Sequence, residues 1–397
     1  MKLGIVSDFH LGYERFRRDA YMQAREALNA VAGVADAILV PGDIFDSRAP
    51  KPDVIAEGLG LFRELASMHW RAKVVEVIGM GKAYTSAPII IIPGTHERRA
   101  VGEENPVSLI NLAGFAIDAS DTTVVLELGG EKVAVRGIGG VSEERLREYL
   151  HSTSIKPLPG MFNVLMFHQS IYELMPFSKD FISFDELPDG FDLYIDGHIH
   201  NHVESKAHGK PFIIPGSTVL TQLKESEQES KGFYLFDTKT ETFQFNRINS
   251  RRFVEVKVSV SDKEPDEIEK EAEEKIANES SRGDMPIVLI QLYGSLKSGL
   301  KLGDINLARL PREFEGKAIV EIAGSGVEEV SSIAGEFQHG MLDGASVKDL
   351  GTSIFVEKLN QAGYSLEIPP TLLFDLLSGD SKEKAVKAAI EKLLGKS

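Results

Sequence analysis

Residues 3–12 read LGIVSDFHLG: a short, β-branched apolar run that stops abruptly at Asp8-Phe9-His10 and a glycine. Such a run has the composition of a buried strand, and an aspartate and a histidine just past its end stand where α/β proteins assemble their sites. The arrangement recurs down the chain. The apolar run at 37–40 leads into Gly42-Asp43, and 88–92 into Gly94-Thr95-His96-Glu97. The run at 163–168 ends in His168-Gln169, and 192–195 leads into Gly197-His198-Ile199-His200. Helical periodicity follows the first three runs, at 14–31, 52–68 and 106–113, and further strand-like runs fall at 123–128, 132–138, 211–215 and 232–237. Strands alternating with helices and followed by hairpin-rich sequence predict an α/β architecture, with two sheets packed face to face between helices. Residues 68–87, between a helix and the third strand, read as long and irregular for a simple connection.

The remaining sequence divides by character. Residues 1–250 form the part just described. Residues 251–344 read as a small, acidic α/β module, with strands at 253–260, 286–292 and 318–322 and a helix at 262–280. Residues 345–397 turn helical, with Val347, Leu350, Ile354, Phe355 and Leu359 on one face and Ala385, Ala389, Ile390 and Leu393 on a last helix. A chain of 397 residues with 42% hydrophobic residues can bury large cores. It has no apolar run of membrane-spanning length. The absence of cysteine excludes disulfides and agrees with a cytoplasmic location. A net charge of −16 argues against a protein that coats nucleic acid with its whole surface, but leaves room for a local basic cleft.

Two carboxylates and several imidazoles at five strand ends form a mixed ligand set suited to Mn²⁺, Fe or Zn²⁺. Phosphodiester chemistry explains why two ions would be wanted. The diester is anionic and repels hydroxide, and a pair of cations about 4 Å apart neutralises it and acidifies a water. Asp43, following a glycine at a strand end, is placed to bridge, and Gly42, Gly94 and Gly197 permit close backbone approach. Any one of these residues alone would be unremarkable: Asp8 could cap a helix, and Gly42-Asp43 could be a turn.

Together, in this order, the motifs resemble the calcineurin-like metallophosphoesterase superfamily over roughly residues 1–245. The SDFHLG opening, GDIFDSRAPKP, FHQS and GHIHNH followed by PGST are most like the SbcD/Mre-type nuclease subunit of DNA double-strand-break repair. That resemblance implies a two-sheet sandwich flanked by helices, a small α/β capping domain and a C-terminal helical segment. It implies Asp8, His10 and His200 on one Mn²⁺, His168 and His198 on a second, and Asp43 between them. His96 would stabilise the phosphate or protonate the leaving oxygen. The family's asparagine before that histidine is Thr95 here, a shorter and poorer ligand, and Glu97 stands where aspartate is usual. The resemblance further implies DNA as substrate, an SMC-like (SbcC/Rad-type) ATPase as partner for the terminal helices, and a homodimer.

Basic residues follow the metal motifs: Arg15, Arg17 and Arg18 the first, Arg48 and Lys51 the second, Arg98 and Arg99 the third. They predict a positive rim that contacts phosphates without reading bases. Two other functions fit the same residues: a phosphodiesterase or phosphatase for a small nucleotide, and a DNA-binding scaffold whose second metal site has decayed at Thr95.

Overall fold

The computed structural model describes residues 1–79, 84–98, 103–175, 181–223, 230–323 and 326–328. The chain separates into two compact units, Met1–Val254 with Arg282–Ile287, and Glu255–Ser281 with the chain from Val288 on.

The first unit is built on two sheets. One has six strands in the order Thr242–Arg247, Gly232–Asp237, Lys2–Ile5, Ala37–Val40, Ile89–Ile91 and Ile117–Asp118. From Lys2–Ile5 onward its strands run parallel. The other has seven, in the order Val203–Ala207, Lys210–Ile214, Leu193–Asp196, Phe162–Phe167, Glu131–Gly137, Thr122–Leu128 and Lys73–Gly79. Side chains alternate along each strand, so each sheet has two apolar faces. Leu3, Ile5, Leu39 and Ile90 meet Val124, Val135, Val164, Met166 and Ile195 in the core between the sheets. Ile38, Val40, Ile89 and Ile91 point the other way, under the helices Arg17–Ala32 and Pro52–Ala66. On the far side, Leu165, Phe167, Tyr194 and Phe212 pack with Leu146 of the helix Glu143–Ser152. The result is the expected helix–sheet–sheet–helix layering. Burial on both faces is why these central strands read as unbroken apolar runs.

One expectation gains detail and one needs correction. Within 68–87, long for a simple connection, Lys73–Gly79 is an edge strand, antiparallel to Thr122–Leu128 with a bulge between Val74 and Glu76. Most of its residues are exposed or half-buried. An edge strand without a buried face leaves no clean apolar/polar alternation to detect. The first helix begins at Arg17, after a single 3₁₀ turn at Glu14–Phe16, and not at residue 14.

In the second unit the sheet order is Phe253–Ser259, Ile287–Ser295, Ile319–Ile322, with Gly326–Glu328 pairing beside Ile287–Ser295. Its helix, Pro265–Ser280, starts at a capping box between Glu264 and Glu267 and buries Ile268, Ala272 and Ile276 along one stripe. The helices expected after residue 344 lie outside the described residues. No helix among the described residues is long and apolar enough to cross a membrane.

Candidate metal centre

The loops that leave Lys2–Ile5, Ala37–Val40, Ile89–Ile91, Phe162–Phe167 and Leu193–Asp196 carry all five histidine- and aspartate-bearing motifs. Their backbones are strained. Asp8, His10, Asp43 and His198 adopt positive φ angles of 53°, 46°, 47° and 70°. That region costs an L-residue roughly 1–2 kcal/mol and persists only where surrounding contacts enforce it. Two glycines make the crowding possible. A Cβ on Gly42 would fall 2.5 Å from His168 Nδ1, and one on Gly94 would fall 2.2 Å from Asp43 Oδ1.

Three groups of donors converge, one of them, His10 with Asp46 and His96, sharing His10 with another; the other two, which share no residue, are the candidate ion sites. Asp8, His10 and His200 form the first, and Asp43, His168 and His198 the second, with the ligand atoms of each group within 4.8 Å of one another. His10 Nε2 faces His200 Nε2 at 3.1 Å, and each lies 3.9 Å from Asp8 Oδ1. His168 Nε2 lies 3.2 Å from Asp43 Oδ2. Donors held at about 2.1 Å from a common ion stand about 3–3.5 Å apart, close to these spacings. The other ring nitrogens are occupied. His10 Nδ1 donates to Asp46 Oδ1 at 3.1 Å, His168 Nδ1 donates to the Pro41 carbonyl at 2.6 Å, and His200 Nδ1 pairs with Thr221 Oγ1. Such partners orient metal-ligating imidazoles and leave Nε2 as the ligand atom. His198 uses Nε2 on Ser170 Oγ at 3.1 Å, so Nδ1 is the nitrogen left to serve as its ligand atom.

The residues present fit a pair of cations. Both oxygens of Asp8 are fully buried with no hydrogen-bond partner. A buried carboxylate without donors is costly unless a positive charge sits against it. Titration carries the same strain. Burial pushes Asp8 up to about 6, with Asp43 adding to the rise and His168 opposing it. Asp43, despite its burial, is held well below the carboxylate range by His168, and its own charge carries His168 up to about 10 against the cost of burial. A proton on His168 thus stands where a cation would. His198 falls to about 4 and His200 to about 2, through burial and then the neighbouring His168 and His10 respectively.

The model of the calcineurin-like phosphoesterase family matches residues 1–202. The chain belongs to the calcineurin-like phosphoesterase family. It is 27% identical over 259 residues to the double-strand break repair protein MRE11 of Encephalitozoon cuniculi, covering 59% of this chain and 45% of that one. It is 25% identical over 260 residues to Mre11 of Methanopyrus kandleri, covering 60% and 54%. With Mre11 of Thermoplasma acidophilum it is 26% identical over 318 residues, covering 76% and 79%. The chain spans about half the length of the first two relatives.

At Thr95, where the resemblance implies an asparagine, the hydroxyl donates to Asp43 Oδ2 at 3.4 Å. The shorter side chain is engaged with the bridging candidate. Next to it, His96 is 44% exposed, its backbone N–H donates to Asp43 Oδ1 at 2.9 Å, and its Nδ1 donates to the Asp46 carbonyl at 3.0 Å.

Several residues to which the sequence reading gave no supporting role hold the centre together. Asp46 holds both His10 and His96. Glu97 is completely buried and accepts the backbone N–H groups of Phe45 and Gly94, each at 2.7 Å, tying the second loop to the third. Burial, aided by Asp43, pushes its carboxyl up to about 8. Lys231, buried, donates to the His200 carbonyl at 3.1 Å and to Ser217 Oγ at 3.0 Å. Its only sequence signal is a lysine at the start of an otherwise apolar strand.

The basic residues are less concerted than expected. Arg15, Arg17 and Lys51 line one cavity of about 500 Å³ beside Asp46. Within it Arg17 is paired with Asp53 at 2.7 Å and Glu57 at 3.2 Å, and Lys51 with Glu14 at 3.3 Å. Arg15 lies 5.8 Å from the centroid of the Phe16 ring. Arg48 and Arg98 are exposed, and Arg18 lines a different cavity, with Arg25 and Arg251. Arg99 lies outside the described residues.

Proposed function

We propose that this protein is a Mn²⁺-dependent DNA nuclease, cutting as endonuclease and exonuclease at DNA ends in double-strand-break repair together with an SMC-like ATPase. The observation that carries the reading is the pair of donor groups, with Asp8 buried and unpartnered in one and Asp43 beside His168 in the other. Asp8, His10 and His200 would hold one ion, His168 and His198 the second, and Asp43 both. When bound, such a pair neutralises a phosphodiester and supplies a nucleophilic water near neutral pH. The chain's own contribution is placement. Asp46, Pro41 and Thr221 lock the imidazoles, and His96, anchored through Nδ1, offers Nε2–H to the leaving oxygen. Arg15, Arg17, Arg48, Lys51 and Arg98 would take flanking phosphates, with Arg17 and Lys51 exchanging their present carboxylate partners for them. The names of the relatives support double-strand-break repair as the setting. The ATPase partner and a homodimer rest on the family resemblance.

Incubation with end-labelled single- and double-stranded DNA and Mn²⁺ tests the reading. Cleavage is expected, falling by about 100-fold or more in His96→Asn while Mn²⁺ binding persists. Hydrolysis of small nucleotide diesters with no action on DNA would instead make the protein a small-nucleotide phosphodiesterase. A second reading draws on Thr95, whose hydroxyl is turned to Asp43. If DNA binds uncut and fewer than two ions load at saturating Mn²⁺, the protein is a DNA-binding scaffold.

A further inference from the structure

A second cavity, of about 620 Å³, opens beside the loop that carries Thr95 and His96. The two places share a wall. Gly140 N–H donates to the Pro93 carbonyl at 2.7 Å, and a Cβ on Gly140 would lie 2.5 Å from the carbonyl carbon of Gly94. Gly94 in turn packs on Asp43. One side of the cavity is apolar, formed by Pro93, Ile138 and Val141, and another carries hydrogen-bonding groups from Asn105, Ser120 and Tyr149. Asn105 uses its side-chain oxygen to cap the helix Pro106–Leu112, which leaves its amide N–H₂ as a donor. The Tyr149 hydroxyl is held between Arg136 and Asp121, and the Ser120 hydroxyl donates to Asp118 Oδ1 at 2.7 Å, so these two oxygens face the cavity as acceptors.

The charges around this cavity decide what it can take. Glu103, Asp118, Asp121 and Glu148 outnumber Arg98 and Arg145 in this lining. A net negative lining repels a phosphate. It does not repel a flat, neutral group with donors and acceptors on its edge. The volume lies within the range of small-molecule sites and exceeds a single nucleobase. Arg98, two residues after His96, stands between this cavity and the metal loop in the chain, with its guanidinium exposed.

We infer that this cavity receives an unpaired nucleobase from the nucleotide whose phosphate lies at the metal centre. The inference rests on the proposed function for its phosphate half only. A base can enter a cavity beside the metal loop only when it has left its stack and its partner, so the pocket selects single-stranded or frayed ends. Base identity is read weakly, because an apolar wall and a few adaptable polar groups suit every base.

Two measurements separate the pocket from the chemistry. In the first, the full chain without metal is dialysed against radiolabelled thymidine and deoxyadenosine, which carry no phosphate. Saturable binding is expected, weakened at least about fivefold in Ser152→Trp, an exposed position on the cavity rim, and in Tyr149→Leu. Absence of saturable binding, or equal binding by wild type and both variants, overturns the inference. In the second, hydrolysis of thymidine 5′-(p-nitrophenyl phosphate) is compared with that of methyl p-nitrophenyl phosphate under Mn²⁺. Wild type should favour the nucleoside ester through a lower KM, and Ser152→Trp should erase that preference with methyl-ester turnover unchanged. A preference that survives in the variant overturns the inference. If neither ester is cut while nucleoside binding persists, the metal chemistry fails and the pocket stands.

Discussion

Replacing Glu97 by alanine should damage the centre more than any loss of charge would suggest. Its two carboxylate oxygens accept the N–H groups of Phe45 and Gly94, one each at 2.7 Å, inside a fully buried site. Deleting the carboxylate strands two buried donors, at about 1–3 kcal/mol apiece, so the loss should be about 2–6 kcal/mol. At about 2–4 °C per kcal/mol for a domain of this size, the melting temperature should fall by roughly 4–24 °C. Glu97→Gln should fall between wild type and alanine, because its amide turns one acceptor into a donor facing an N–H group. The pH dependence adds a second check. A carboxyl raised from 4.5 to about 8 in the fold binds its proton more tightly folded than unfolded. Its contribution is therefore fully present below pH 4.5 and is lost as pH rises through about 8. Metal-free wild type should lose stability across that window relative to Glu97→Gln, which cannot titrate. Thermal melts of the metal-free full chain at several pH values read both effects. A melting temperature within about 2 °C of wild type for Glu97→Ala, or parallel pH profiles for wild type and Glu97→Gln, would refute the argument.

Other consequences follow from the same geometry. Thr95→Asn should restore an amide ligand to the second ion and tighten the weaker Mn²⁺ step by about 10-fold or more, read by calorimetric titration; an unchanged second step would show that Thr95 is not the defect. Metal binding near pH 7 should release protons, because His168, carried up to about 10 by Asp43 against burial, must lose its proton to become a ligand. Titrations in buffers of different ionisation enthalpy count those protons, and Mn²⁺ affinity should rise with pH; zero release contradicts the assignment of His168. Arg15→Ala and Lys51→Ala should each lower the salt slope of DNA binding by about one, with no change in sequence preference. A slope unchanged in both would remove the cavity beside Asp46 from the DNA path.

Much of the centre could be read from short words of sequence, for a definite reason. The central strands are buried on both faces, so each is an uninterrupted apolar run, and each run ends where Asp8, Asp43, His96, His168 or His198 begins. Local pattern therefore located the candidate donors that the fold brings together. The edge strand Lys73–Gly79 escaped notice because its exposure removes the pattern that burial imposes.

What local sequence settled is which side chains could bind a metal and that each sits just past a strand. It could not settle how they are aimed. His10 and His200 face each other across 190 positions of chain, and His168 is turned by the carbonyl of Pro41, 127 positions away. Asp46, Thr221 and Lys231 matter through partners on other loops, and so does Glu97 through Phe45. Orientation depends on contacts between loops from both sheets, and only packing the sheets together brings those loops to one point.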